Sequence, residues 1–85
     1  MPIRSFVKIY GPPLMEAIEA LEKIDVGSLG IPVKTVGFTL GEYDYCFEWV
    51  RGQPEPSQFY KLIEKIDEAL APIDVRYTIQ TFVRL

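Results

Sequence analysis

The sequence predicts a single α+β domain in which one antiparallel sheet carries two helices on one side. Three observations lead there. Apolar residues alternate with a period of two in four segments and recur with a helical period in two others. The segments follow one another as strand, helix, strand, strand, helix, strand, and the 85 residues leave room for one domain, taken as 1–85.

Ile3 to Tyr10 opens the chain with Val7 and Ile9 on one side and Arg4 and Lys8 on the other, the pattern of a half-buried strand. Gly11-Pro12-Pro13 stops it. Leu14, Ala17, Ile18, Leu21 and Ile24 then fall on one helical stripe with acidic residues between them. Asp25 to Pro32, with two glycines and a proline, reads as a loop. Val33 to Leu40 and Tyr45 to Arg51 are β-branched and aromatic, and the short Gly41-Glu42-Tyr43-Asp44 connection makes them a hairpin. After a break at Gly52 to Pro56, Phe59, Leu62, Ile63, Ile66, Ala69 and Leu70 form a second helical stripe. Ser57 is the candidate N-cap of that helix, and Pro72 ends it. Val75 to Leu85 alternates again as a last strand.

Right-handed crossovers put both helices of such a chain on the same face of the sheet. The result is a ferredoxin-like βαββαβ sandwich with strand order 4-1-3-2. A hairpin closed symmetrically on Glu42 and Tyr43 sets Leu40 opposite Tyr45, Phe38 opposite Phe47 and Val36 opposite Trp49, and all six are expected under the helices. The other side then carries Arg4, Phe6, Lys8, Tyr10, Thr35, Thr39, Cys46, Glu48, Val50, Arg76, Thr78, Gln80, Phe82 and Arg84. Such a face is too apolar for bulk water and too ionic for a dry interior, which points to a second copy lying against it. Arg4, Phe6, Lys8, Tyr10, Glu48, Val50, Arg76, Gln80 and Phe82 are the expected interface.

Composition narrows the chemistry. There is one cysteine, Cys46, and no histidine, so a disulfide framework and nearly all zinc, haem and copper sites are excluded; no cofactor is expected. The net charge of −3 disfavours duplex DNA as a partner. No apolar run reaches the length of a membrane span, and Met1-Pro2-Ile3-Arg4 leads straight into a strand, so the expected location is the cytoplasm.

Thr39-Leu40-Gly41-Glu42-Tyr43-Asp44-Tyr45 is the most distinctive stretch. Local chemistry accounts for it as a tight turn, since glycine and aspartate suit one. The stretch is also similar to the Gly-x-Tyr-Asp signature in the effector-binding domain of the Lrp/AsnC transcription regulators. It is closer still to the GYD-domain proteins, where a Thr-x-Gly-Glu-Tyr-Asp segment follows a Val-Lys strand like Val33-Lys34. Val75-Arg76 and Thr78-Ile79-Gln80-Thr81-Phe82 resemble the Val-Arg-Thr-x-Thr ending of those families, one residue short. This resemblance implies a dimeric α/β barrel of two face-to-face sheets, with a small effector such as an amino acid bound at the signature hairpin. By that resemblance Gly41 lets the backbone approach a ligand, Asp44 meets an amino group, Tyr43 covers one side and Glu42 shares the site. The helix-turn-helix of those regulators has no counterpart in this sequence, so DNA binding does not follow.

The leading expectation is therefore a non-catalytic sensing or assembly module: a homodimer or higher homo-oligomer that binds a small, amino-acid-like metabolite near residues 41–44. Two alternatives stay open. An enzyme would need Asp44, Glu48 or a tyrosine for acid–base work, because no nucleophile has a base at a recognisable spacing and Cys46 reads as a buried apolar residue. A single-stranded RNA-binding sheet would need the reverse hairpin register, exposing Tyr45, Phe47 and Trp49.

Overall fold

The computed structural model describes residues 2–83. Its elements are β1 (Ile3–Tyr10), α1 (Leu14–Glu22), β2 (Val33–Phe38), β3 (Tyr45–Trp49), α2 (Pro56–Leu70) and β4 (Arg76–Val83), with a 3-10 turn at Val26–Leu29 inside the expected loop. The sheet order is β2-β3-β1-β4, the expected order counted from the other edge, and every neighbouring pair is antiparallel. Arg84 and Leu85, expected in the last strand, lie outside the described residues.

Alternation decides which side of each strand is covered. Val7 and Ile9 from β1 and Tyr45, Phe47 and Trp49 from β3 meet Ala17, Ile18 and Leu21 of α1 and Leu62, Ile66 and Leu70 of α2 in one buried core. Each large side chain so covered contributes about 1.5–3 kcal/mol. Ser5 shares that side with its hydroxyl satisfied: the Trp49 indole N–H donates to Ser5 Oγ at 2.8 Å, and Ser5 Oγ lies 2.6 Å from Thr81 Oγ1. Tyr77 donates its hydroxyl to Asp67 of α2, and burial together with that carboxylate raises its pKa. The Tyr45 hydroxyl is buried without a hydrogen-bond partner among the described residues. Burial is the main reason its pKa is raised, and Glu22 adds to the rise.

The N-terminus of α2 differs from expectation. Glu55, not Ser57, is its N-cap; Pro56 occupies the first turn, and the Glu55 backbone N–H donates to Gln58 Oε1 at 3.0 Å. Glutamine three residues beyond the cap closes the reciprocal box that Ser57 lacks.

The hairpin register also needs correcting. Val33 faces Trp49 and Thr35 faces Phe47; after a bulge, Gly37 faces Cys46 and Phe38 faces Tyr45. Thr35 therefore sits on the helix side, whereas Val36, Phe38 and Leu40 are exposed instead of packed under the helices. The cause lies in the turn. The turn is centred one residue earlier than expected, on Gly41 and Glu42, with Asp44 opposite Thr39, and the extra residue in β2 is taken up as a bulge between Thr35 and Gly37.

Candidate functional site

Asp44 fixes the hairpin to the sheet. Its backbone N–H donates to the Val7 carbonyl at 2.9 Å, and its Oδ2 accepts the Ile9 N–H at 2.8 Å. Lys8 Nζ lies 3.7 Å from the same oxygen. The Asp44 carbonyl accepts the Thr39 N–H at 3.2 Å, and the Thr39 hydroxyl donates to the Tyr43 carbonyl at 2.9 Å. Gly41 closes the turn at φ 103°, a left-handed conformation that side chains resist.

This anchoring folds Tyr43 back across the uncovered side of the sheet. Its ring lies 5.1 Å from that of Phe6 and 6.1 Å from that of Phe82, and its hydroxyl donates to Gln80 Oε1 at 2.6 Å. Phe6 and Phe82 stack at 5.0 Å. The chain thus covers Phe6 itself, leaving it 5% exposed, in contrast to the exposed aromatic that alternation predicts.

The charges on this side are paired as well. Arg4 Nε donates to Glu48 Oε1 at 3.0 Å, and Lys34 Nζ approaches Glu48 Oε2 at 3.3 Å. The Arg4 hydrogen bond is the main cause that lowers the Glu48 pKa, with Lys34 acting in the same sense against desolvation.

A cleft of about 460 Å³ opens beside the hairpin, lined by Arg4, Phe6, Phe38, Thr39, Leu40, Glu42 and Tyr43. Across the sheet Gly37, Cys46 and Phe6 stand in one row, and neither Gly37 nor Cys46 is among the residues that line the cleft. Of the hairpin residues expected to bind a ligand, Glu42 and Tyr43 line this cleft, while Gly41 and Asp44 do not. Phe38 and Leu40 are wall residues that the symmetric register hid; the signal that could have found them was Gly37, since glycine within a strand marks a bulge.

No family model, curated protein or solved structure matches the chain.

Of the expected interface residues, Arg4, Phe6, Lys8 and Tyr10 alternate along β1 and pair with Phe82, Gln80, Thr78 and Arg76 of β4. Glu48 joins them from β3 opposite Arg4. Val50, 54% exposed, follows β3 and donates its N–H to the Pro32 carbonyl. Cys46 is fully buried.

Arg4 and Lys34 hold Glu48 ionised, which makes it a weak proton acceptor, and the Asp44 carboxylate is engaged by the Ile9 N–H and Lys8. Tyr45, Phe47 and Trp49 lie under the helices, which removes the stacking platform that RNA binding would need. Among the described residues no cluster of His, Cys, Asp and Glu could hold a metal ion, and no helix is long and apolar enough to cross a membrane. A larger hollow of about 510 Å³ lies at the far end of the sheet between residues 30–32 and 50–53. The first N–H groups of α2 there are engaged by the Glu55–Gln58 box.

Proposed function

We propose that this protein is a non-catalytic, cytoplasmic sensing or assembly module that binds a small amino-acid-like metabolite in the cleft beside the 41–44 hairpin. The supporting observation is the distribution of groups around that cleft, with the Arg4 guanidinium and the Glu42 carboxylate on a wall otherwise built from Phe6, Phe38, Thr39, Leu40 and Tyr43. Arg4 reaches Glu48 through Nε, so its terminal amino groups remain for a ligand carboxylate. Glu42 supplies an acceptor for an ammonium group. Apolar walls take the side chain between them, the mixture of a mostly apolar pocket with few polar groups that small-molecule sites share. Asp44, assigned by resemblance to the amino group, is occupied by Ile9 and Lys8, and Glu42 takes that role in this proposal.

The proposal includes a homodimer or higher homo-oligomer built on the uncovered side of the sheet. Its support is narrower than the sequence implies, because Phe6 and most of the charges are satisfied within one chain. Tyr10, Phe38, Leu40 and Val50 remain as exposed apolar surface. Kinship with the GYD-domain and Lrp/AsnC effector-binding families belongs to the same proposal, supported by the position of Thr39 to Asp44 at the hairpin beside the cleft.

Calorimetric titration with a panel of free amino acids tests the binding. At least one is expected to bind with Kd below about 1 mM, and Arg4→Ala is expected to weaken it about tenfold or more. Absence of heat from every member of the panel, with the protein folded, refutes the ligand reading.

A further inference from the structure

The two edges of the sheet are built differently. β2, at one edge, is interrupted by the bulge between Thr35 and Gly37 and carries Lys34, two devices that discourage another strand from pairing with it. β4, at the other edge, has neither. Arg76 to Val83 pairs with β1 along its whole length without a register shift, and residues 76–83 include no proline, glycine or lysine. Among the described residues no turn or loop hydrogen-bonds to the β4 backbone. Its outer side therefore presents a row of free N–H and C=O groups.

Helix α2 makes this edge one wall of a groove. Tyr77, Ile79 and Thr81 alternate on the covered side of β4: Tyr77 donates to Asp67 of α2, Ile79 packs against the core and Thr81 meets Ser5. Thr81 also lines a hollow of about 270 Å³ with Gln53, Pro54, Pro56, Phe59 and Tyr60. Tyr60, Glu64 and Asp67 are spaced i, i+4, i+7 and share one stripe of α2, which sets Glu64 between the hollow and Asp67. The groove is thus apolar at its Thr81 end, where Tyr60 is 67% exposed, and acidic toward Tyr77. Glu64 is exposed and takes part in no ion pair among the described residues.

We infer that this groove takes an extended, basic segment of a partner protein as an added strand on β4, with an apolar side chain in the hollow and lysine or arginine beside Glu64 and Asp67. Strand addition of this kind draws affinity from main-chain hydrogen bonds and specificity from pockets for alternate side chains. A segment antiparallel to β4, the pairing used throughout this sheet, runs from Val83 toward Arg76. The residue opposite Thr81 then comes first, and those opposite Ile79 and Tyr77 follow two and four positions later on the same side. The groove therefore reads an apolar residue followed at two and four positions by basic ones. A second copy's β4 does not fit that pattern, since Tyr77, Ile79 and Thr81 are its residues at this spacing and none is basic. This groove shares no residue with the cleft at the 41–44 hairpin.

Fluorescence anisotropy with the labelled peptide Ser-Phe-Thr-Lys-Thr-Lys-Thr tests this on the whole chain. It is expected to bind with Kd below about 100 μM, and the same peptide with glutamate for both lysines about tenfold or more weaker. Glu64→Lys should reverse that preference; the site is exposed, so the variant should keep the wild-type far-UV circular dichroism. Amide shifts on adding the lysine peptide should map to Tyr60, Glu64 and residues 77–81. Arg4→Ala should bind the peptide as the wild type does, which separates this groove from the ligand cleft. No binding of the lysine peptide at about 1 mM, equal binding of the two peptides, or an unchanged preference in Glu64→Lys overturns the inference and leaves the ligand reading standing. Shifts along β4 that follow protein concentration before peptide is added mean that a second copy fills the edge, and they overturn it as well.

Discussion

Asp44 accepts the Ile9 backbone N–H at 2.8 Å through Oδ2, joining residues 35 positions apart in the chain. In this position a carboxylate continues the ladder between β1 and β3 beyond the last paired residues, Val7 and Tyr45. Asp44→Ala leaves that N–H without its acceptor and Lys8 without its counter-ion. A loss of about 1–3 kcal/mol is expected in urea unfolding. Asp44→Asn keeps an acceptor oxygen and should lose less; equal losses would show that the hydrogen bond is not what matters.

Ser5 lies between Trp49 and Thr81 at the centre of the covered side. Ser5→Ala removes one methyl-sized polar group but strands the indole N–H in the core, so about 1–3 kcal/mol of stability should be lost. Adding Trp49→Phe to the same chain removes the stranded donor. The second step should then cost less than Trp49→Phe does in the wild type, a coupling that a double-mutant cycle measures.

Tyr45 presents the opposite case. Its hydroxyl is buried without a hydrogen-bond partner among the described residues. Tyr45→Phe is therefore expected to leave the urea midpoint unchanged or to raise it, whereas a fall of more than about 1 kcal/mol would mean that the hydroxyl is satisfied in solution.

How much of this is legible in the sequence follows from what each residue depends on. Period-two and helical stripes are local properties, and they placed the strands, both helices, the sheet order and the burial of Tyr45, Phe47 and Trp49. The β2 register depends on where the turn centres and on the bulge between Thr35 and Gly37, and strict alternation in residues 33–45 encodes neither. The symmetric hairpin therefore misplaced Val36, Phe38 and Leu40, the last two of which line the cleft. Phe6 was misjudged for a related reason, since alternation assigns a residue to a face but does not foresee Tyr43 folding across it.

Glu48 links stability to pH. Its pKa is lowered in the folded protein, chiefly by Arg4, so its contribution is present above the usual glutamate range and lost as pH falls through the lowered value. Urea midpoints from pH 6 down to pH 3 should show the gap between wild type and Glu48→Gln narrowing as the pH falls. A constant gap would mean that the ion pairs with Arg4 and Lys34 do not perturb Glu48.

Amide chemical shifts followed during titration with free amino acids test the central claim most directly. The account predicts saturable shifts confined to Arg4, Phe6, residues 38–43 and their neighbours, with the titration midpoint moved about tenfold or more higher in Arg4→Ala. Saturable shifts that map instead to the hollow at residues 30–32 and 50–53, or no shifts with any amino acid at millimolar concentration, would contradict it.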